Sequence, residues 1–152
     1  MILNPAPAQV LKKDLLQMVD YLIPNEYEIA TMTGIQIQEM ADTKRAALQL
    51  ISKGVKNLIV TLGQKGSVLF EGMTNENVII PAWKVQAVDT TAAGDCFVGA
   101  LAVGLGEGKS VNNAATFASA AAAISVTRVG AQPSLPYYGE VIHFMEEGIK
   151  LI

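Results

Sequence analysis

Asp89 and Asp95 flank a run of small residues, Thr90-Thr91-Ala92-Ala93-Gly94. A short apolar run, Ala87-Val88, ends at Asp89. Beyond Asp95, Phe97, Leu101 and Leu105 recur at helical spacing. The pattern predicts a strand end, a tight turn and a helix start. The first N–H groups of a helix lack intrahelical partners and carry partial positive charge, so they can hold an anion. Ala92, Ala93 and Gly94 have almost no side chain to keep a phosphate away. Asp95 then stands in the first turn beside the anion, where a carboxylate can take the proton of an attacking hydroxyl. An Asp that only complements a helix dipole behind a small-residue turn is the other reading of the same residues.

The elements that must position this turn follow from the chain in order. Ile2-Leu3 is too short to be a self-sufficient strand and is stopped by Asn4-Pro5-Ala6-Pro7. It reads as the tail of a strand whose earlier part is absent. Leu11, Leu15, Met18 and Leu22 keep helical spacing, and Tyr21-Leu22-Ile23 reads as a short buried strand stopped by Pro24. Asn25 caps a helix with acids in its first turn, and Gly34 ends it. A second helix runs from Asp42 to Lys53, with Ala46, Ala47, Leu50 and Ile51 facing inward and Gly54 as its stop. Asn57–Leu62 is a continuous apolar run, as in a strand covered on both faces. Gly63–Gly66 is a turn, Ser67–Phe70 a strand, and Val78–Pro81 its hairpin partner. Val85–Val88 leads into the central turn. Ser110 caps a helix from Val111 to about Val126, a loop follows, and a last helix covers about 138 to 149. Alternating strands and helices predict a three-layer α/β/α, Rossmann-like domain.

The 152 residues suit one domain with a sizeable core. No apolar run approaches the roughly 20 residues that span a bilayer, and the net charge of −3 comes with no basic block. Nucleic acid and anionic membrane are therefore poor partners for this chain. The single cysteine, Cys96, cannot form an intrachain disulfide, which suits a reducing, cytoplasmic setting. Cys96 reads as a small buried helix residue. His143, the only histidine, has no Cys or His nearby and reads as structural.

The phrase Asp-Thr-Thr-Ala-Ala-Gly-Asp running into Phe-x-Gly-Ala-Leu closely resembles the second signature of the ribokinase (phosphofructokinase B) family of carbohydrate kinases. The resemblance implies a ribokinase-like fold and makes Asp95 the catalytic base, with the N–H groups of Ala92, Ala93 and Gly94 as the anion hole. Further stretches match in order. Asn4-Pro5-Ala6-Pro7-Ala8 resembles a strand exit of the family. Pro24-Asn25-Glu26-x-Glu28 resembles the segment that places Asn25 and Glu28 near the phosphates and Mg²⁺, an ion that keeps several waters. A capped surface helix explains Asn25 and Glu28 equally well on local grounds. Thr61-Leu62-Gly63-x-x-Gly66 resembles the nucleotide-side turn, and Ser119 falls where the family contacts adenine, often through His or Asn. The small neighbours Ala115, Ala118 and Ala122 would leave room for a flat base. Thr127-Arg128-x-Gly130-Ala131-Gln132-Pro133-Ser134 is similar to the loop that joins the second Asp-Thr segment around a monovalent cation, usually K⁺. Carried over, its ligands are the Asp89 carboxylate, the carbonyls of Thr91, Ser125, Arg128 and Gly130, and the Ser134 hydroxyl. In the alternative reading, Asp89 caps the turn and the loop is only a helix terminus.

The resemblance covers residues 1–152 as the C-terminal, nucleotide-binding half of such a kinase. Full-length relatives are about twice as long, and their sugar-binding residues and β-sheet lid have no counterpart here. Two functional expectations follow. One is a portion of an ATP-dependent sugar kinase, which makes ribose 5-phosphate from ribose in the parent enzyme. The other is an ADP/ATP-binding module or remnant with no catalysis of its own. A pentose would bind only if the other half were supplied, by pairing with an N-terminal chain or through a homo-oligomer.

Overall fold

This computed structural model describes residues 1–72, 74 and 76–148. Two compact units emerge: Met1–Leu62 with Ser67–Ile79, and Gly63–Gly66 with the chain from Ile80 onward.

The first unit carries β1 (Ile2–Leu3), α1 (Lys13–Gln17), β2 (Tyr21–Leu22), α2 (Glu26–Thr33), α3 (Met40–Ile51), β3 (Asn57–Thr61), β4 (Ser67–Glu71) and most of β5 (Asn77–Ile80). The strands form one sheet in the order β1-β2-β3-β4-β5. β1, β2 and β3 are parallel, and β4 returns antiparallel to β3. Helical crossovers make the parallel pairs, whereas the short 3₁₀ turn Gly63–Lys65 permits only an antiparallel return. Leu58, Ile59 and Val60 are fully buried, so the apolar run of β3 is covered on both faces. Leu22, Ile29, Leu50, Leu58 and Val60 belong to one apolar cluster, which the inward stripe of α3, Ala46 and Ala47, joins.

In the second unit, α4 (Ala93–Gly106), α5 (Val111–Ser125) and α6 (Tyr138–Glu147) carry the core. Trp83, Phe117, Ala121, Ile124 and Val141 cluster there with Cys96. Close approach of α4 and α5 requires small residues: a Cβ on Gly104 would lie 3.0 Å from Ala114. Lys109 stands over the rings of Phe117 and Tyr138 and pairs with Glu107, which also accepts from the Tyr138 hydroxyl at 3.1 Å. The Lys109 ammonium holds the Glu107 carboxyl below its ordinary range.

Three expectations are corrected. The helical spacing of Leu11, Leu15, Met18 and Leu22 does not make one helix: α1 has only five residues, Leu15 and Met18 are exposed, and Leu16 and Val19 are buried. Residues 84–88 form no strand. The N–H groups of Val88 and Asp89 both donate to the Val126 carbonyl, at 2.7 and 3.1 Å. The segment is thus held by the end of α5 and not by a sheet neighbour. Ala115 and Ala118 offer no open room, since both are fully buried. The last helix ends at Glu147 among the described residues, and its expected end at 149 lies outside them.

Candidate functional site

In the second unit the predicted turn forms at the start of α4. Ala92 is its N-cap with φ +59°, in the left-handed region that non-glycine residues rarely enter. Asp95 lies in the first helical turn and is exposed. An added Cβ on Gly94 would meet nothing within 4 Å, so the Gly94 backbone faces open space. The Ala93 N–H bends back to the Thr90 carbonyl at a long 3.3 Å. Small residues followed by an acid therefore produce an open helix start with an exposed carboxylate beside it.

Asp89 clamps this turn to the loop after α5. Its Oδ1 accepts from the Thr91 N–H and its Oδ2 from the Gly130 N–H, both at 2.9 Å. Hydrogen bonds from Thr91 and Gly130 hold the Asp89 carboxyl low, at about 2. Gly130 adopts φ +91°, which suits glycine alone. Ser125 and Ser134 are fully buried. The Ser125 carbonyl accepts from the Arg128 N–H at 3.1 Å, and the Ser134 hydroxyl donates to the Ala131 carbonyl at 2.7 Å. The structure thus joins the segments of Asp89, Thr91, Ser125, Arg128, Gly130 and Ser134. Their donor set is a carboxylate, carbonyls and a hydroxyl, all oxygen, which fits a hard cation of modest charge.

Sequence reasoning singled out Arg128 for its carbonyl and missed its side chain. The Arg128 guanidinium donates to Glu140 Oε1 at 2.6 Å, and Glu140 Oε2 accepts from the Tyr137 N–H at 2.7 Å. Nothing in the sequence signals this ion pair, because its partners lie on separate elements.

The nucleotide-side residues of this unit also find partners. Ser119 Oγ donates to the Pro81 carbonyl at 3.4 Å. Gly63 has φ +57° with open space at its Cβ position, whereas a Cβ on Gly66 would fall 2.1 Å from the Ile80 carbonyl oxygen. Gly66 is therefore demanded by packing whatever else it does.

A cleft of about 230 Å³ opens beside Asp95, lined by Cys96, Gly99, Val103, Leu135 and Tyr138 among others. This mostly apolar lining does not suit a phosphate. Cys96 is buried, and that burial pushes its thiol up. His143 is exposed and lies 3.3 Å from Glu147.

In the first unit, Asn25, just past β2, forms a parallel bridge with Thr61 at the carboxyl end of β3, and the Thr61 N–H donates to the Pro24 carbonyl at 3.0 Å. This is the edge where open α/β sheets bind ligands. Asn25 and Glu28 make a reciprocal capping box: Asn25 Oδ1 accepts from the Glu28 N–H at 2.8 Å, and Glu28 Oε2 from the Asn25 N–H at 2.7 Å. Glu26 and Glu28 are the acids of this first turn, and so few carboxylates suit a cation held through its own waters.

Residues 1–137 match the pfkB family of carbohydrate kinases. The chain belongs to this family. It is 43% identical over 145 residues to a ribokinase of Haemophilus influenzae, an alignment that covers 95% of this chain and 47% of that protein. The crystal structure of a Thermotoga maritima ribokinase is similar with a TM-score of 0.87 and 48% identity, over 95% of this chain and 48% of that one. An Arabidopsis thaliana ribokinase complexed with ribose and ATP is similar with a TM-score of 0.86 and 38% identity, over 93% of this chain and 46% of that one. This pfkB-family chain therefore spans about half the length of these relatives. Its mixed five-stranded sheet with helices is of the ribokinase-like class that the motif implied. Among the described residues, no helix is long and apolar enough to cross a membrane.

Proposed function

We propose that this chain is the nucleotide and phosphoryl-transfer portion of an ATP-dependent, ribokinase-type sugar kinase. The observation that carries this reading is the start of α4: a left-handed Ala92, an open Gly94 and an exposed Asp95 in one turn, clamped through Asp89. The Arabidopsis relative, complexed with ribose and ATP, supports nucleotide and pentose as the ligand classes.

In this mechanism Asp95 takes the proton of the sugar hydroxyl as its oxygen attacks the γ-phosphorus. The bond from that phosphorus to the bridging oxygen of ADP breaks, and ADP leaves. Backbone N–H groups at Ala92, Ala93 and Gly94 stabilise the charge that develops on the transferred phosphoryl group. By the family motif, Thr61 in the first unit and Gly63, Gly66 and Ser119 in the second are assigned to the nucleotide. Asn25 and Glu28 would hold Mg²⁺ through its waters, and the ion would supply neutralisation of phosphate charge. A monovalent cation, K⁺ by donor type, would be held by Asp89, Thr91, Ser125, Arg128, Gly130 and Ser134 and would stiffen the turn. The setting is cytoplasmic.

Alone, the chain binds ADP or ATP and turns over weakly or not at all. Orienting both reactants is worth about 7–11 kcal/mol, and the sugar-orienting half lies in the length of the relatives that this chain does not span. Pairing with that half, or self-association, would restore turnover.

Calorimetry with ADP and ATP in K⁺ and Mg²⁺, alongside ribose-dependent ADP release in the presence of the complementary half of the Thermotoga relative, tests this. Asp95→Asn is expected to abolish release and spare ADP affinity; equal activity in the variant overturns the base assignment. Exchanging K⁺ for Li⁺ is expected to weaken ADP affinity, and no cation dependence would leave the loop merely structural. An absence of both binding and complementation would refute the kinase reading.

A further inference from the structure

We propose that Glu140, in the first turn of α6, is a positioning residue for the Asp89 turn and acts through Arg128. This rests on the reading of that turn as the phosphoryl-transfer site, although the contact itself does not. The Thr127 and Arg128 N–H groups bond back to the Ile124 and Ser125 carbonyls, and beyond them residues 129–133, mostly exposed, run to the Ser134 turn. Val129 is 73% exposed, and Ala131, Gln132 and Pro133 are exposed as well. Gly130 has no side chain, yet its N–H must reach Asp89 Oδ2 at 2.9 Å. The side-chain tether two residues away is the Arg128 guanidinium on Glu140 Oε1 at 2.6 Å. The other Glu140 oxygen is fixed by the Tyr137 N–H at 2.7 Å, so the carboxylate is immobilised on α6 before it meets Arg128. A charge-assisted bond to a pre-positioned acceptor loses less side-chain entropy than one between two mobile groups.

The path is continuous. Glu140 holds Arg128; Arg128 restrains Gly130; Gly130 and Thr91 hold opposite oxygens of Asp89; and Thr91 leads directly into the left-handed Ala92. Removing Glu140 should loosen the Gly130–Asp89 bond without unfolding either unit. Because Arg128 and Glu140 are each more than a third exposed, the effect should be modest and local.

The test is amide hydrogen exchange by NMR at Gly130 and Thr91, with Ile59 and Val60 in β3 as global references, together with ADP titration in K⁺. The variants are Glu140→Ala, Glu140→Gln, Arg128→Ala and the Arg128→Ala/Glu140→Ala pair. Exchange at Gly130 and Thr91 should quicken by about two- to fivefold in each single variant. The double variant should be no faster, and the β3 amides should not change. ADP affinity should weaken in the same pattern. Glu140→Gln keeps an acceptor for the helix cap but loses the charge. If it leaves Gly130 unchanged while Glu140→Ala quickens it, capping and not positioning is responsible, and the proposal fails. It also fails if Gly130 exchange is unchanged throughout, rises only together with β3, or adds in the double variant. Should the unaltered chain bind no ADP, the expectation that it binds nucleotide alone falls, and the exchange measurements still decide the role of Glu140.

Discussion

Ala92 is the one non-glycine residue with a positive φ among the described residues. An L-residue with a Cβ costs about 1–2 kcal/mol in the left-handed region, a strain that glycine would avoid. Ala92→Gly is therefore expected to leave stability unchanged or to raise it by up to about 1 kcal/mol, because the greater freedom of glycine in the unfolded chain offsets part of the relief. Ala92→Val should lose about 1–2 kcal/mol or more, since β-branching makes the left-handed conformation worse. Urea denaturation of both variants checks this, and a destabilised Ala92→Gly would contradict the strain argument. The motif placed Asp95 correctly in the first helical turn because helix starts are local. It could not show Asp89 with both oxygens engaged, because Gly130 lies far away in sequence.

At the level of elements, the two glycines of the turn between β3 and β4 separate two roles that the sequence shows as one pattern. Gly63 and Gly66 both have positive φ. Gly63 has open space at its Cβ position, whereas Gly66 is pressed against the backbone of Ile80, Pro81 and Ala82. Gly63→Ala should cost about 1 kcal/mol from backbone conformation alone. Gly66→Ala should cost about 2–4 kcal/mol, because overlap with rigid backbone adds to the strain. Chemical denaturation of the two variants side by side measures the difference, and equal losses would mean that the 80–82 segment can yield. The caps at Asn25 and Ser110 and the stop at Gly34 were legible because each joins residues three or four apart. The face of α1 was not, because a five-residue helix leaves its burial to whatever packs on it.

For the whole molecule, acid sensitivity follows from carboxylates held low. The side chain of Lys56, hydrogen-bonded at 2.6 Å, and then the amino terminus hold the Asp20 carboxyl at about 2, below its ordinary 3.8. A folded value below the unfolded one stabilises the fold fully above about pH 4, and that contribution is lost as pH falls through about 2. The urea midpoint should therefore drop between these values, and Asp20→Asn should flatten the drop. Asp89, also held at about 2, and Asp42, Glu107 and Glu140, also held low, leave a residual slope. A slope unchanged in Asp20→Asn would show that the Lys56 contact is absent in solution.

What the sequence determined by itself was most of what depends on neighbours along the chain. The caps at Asn25 and Ser110, the stop at Gly34, the apolar centre of β3, the turn at 63–66 and the small-residue run before Asp95 follow from spacing and residue type, and the long motif carried the family, whereas α3 starts at Met40 and ends at Ile51, before the expected stop at Gly54. Only the tertiary structure decided which distant groups meet. Val88 and Asp89 bond to the end of α5 and not to a strand, Gly66 packs under Pro81, Leu16 is buried in place of Leu15 and Met18, and Glu140 reaches Arg128. The physical reason is that a backbone N–H or a guanidinium is satisfied by any oxygen in reach, and chain folding alone determines which oxygen arrives.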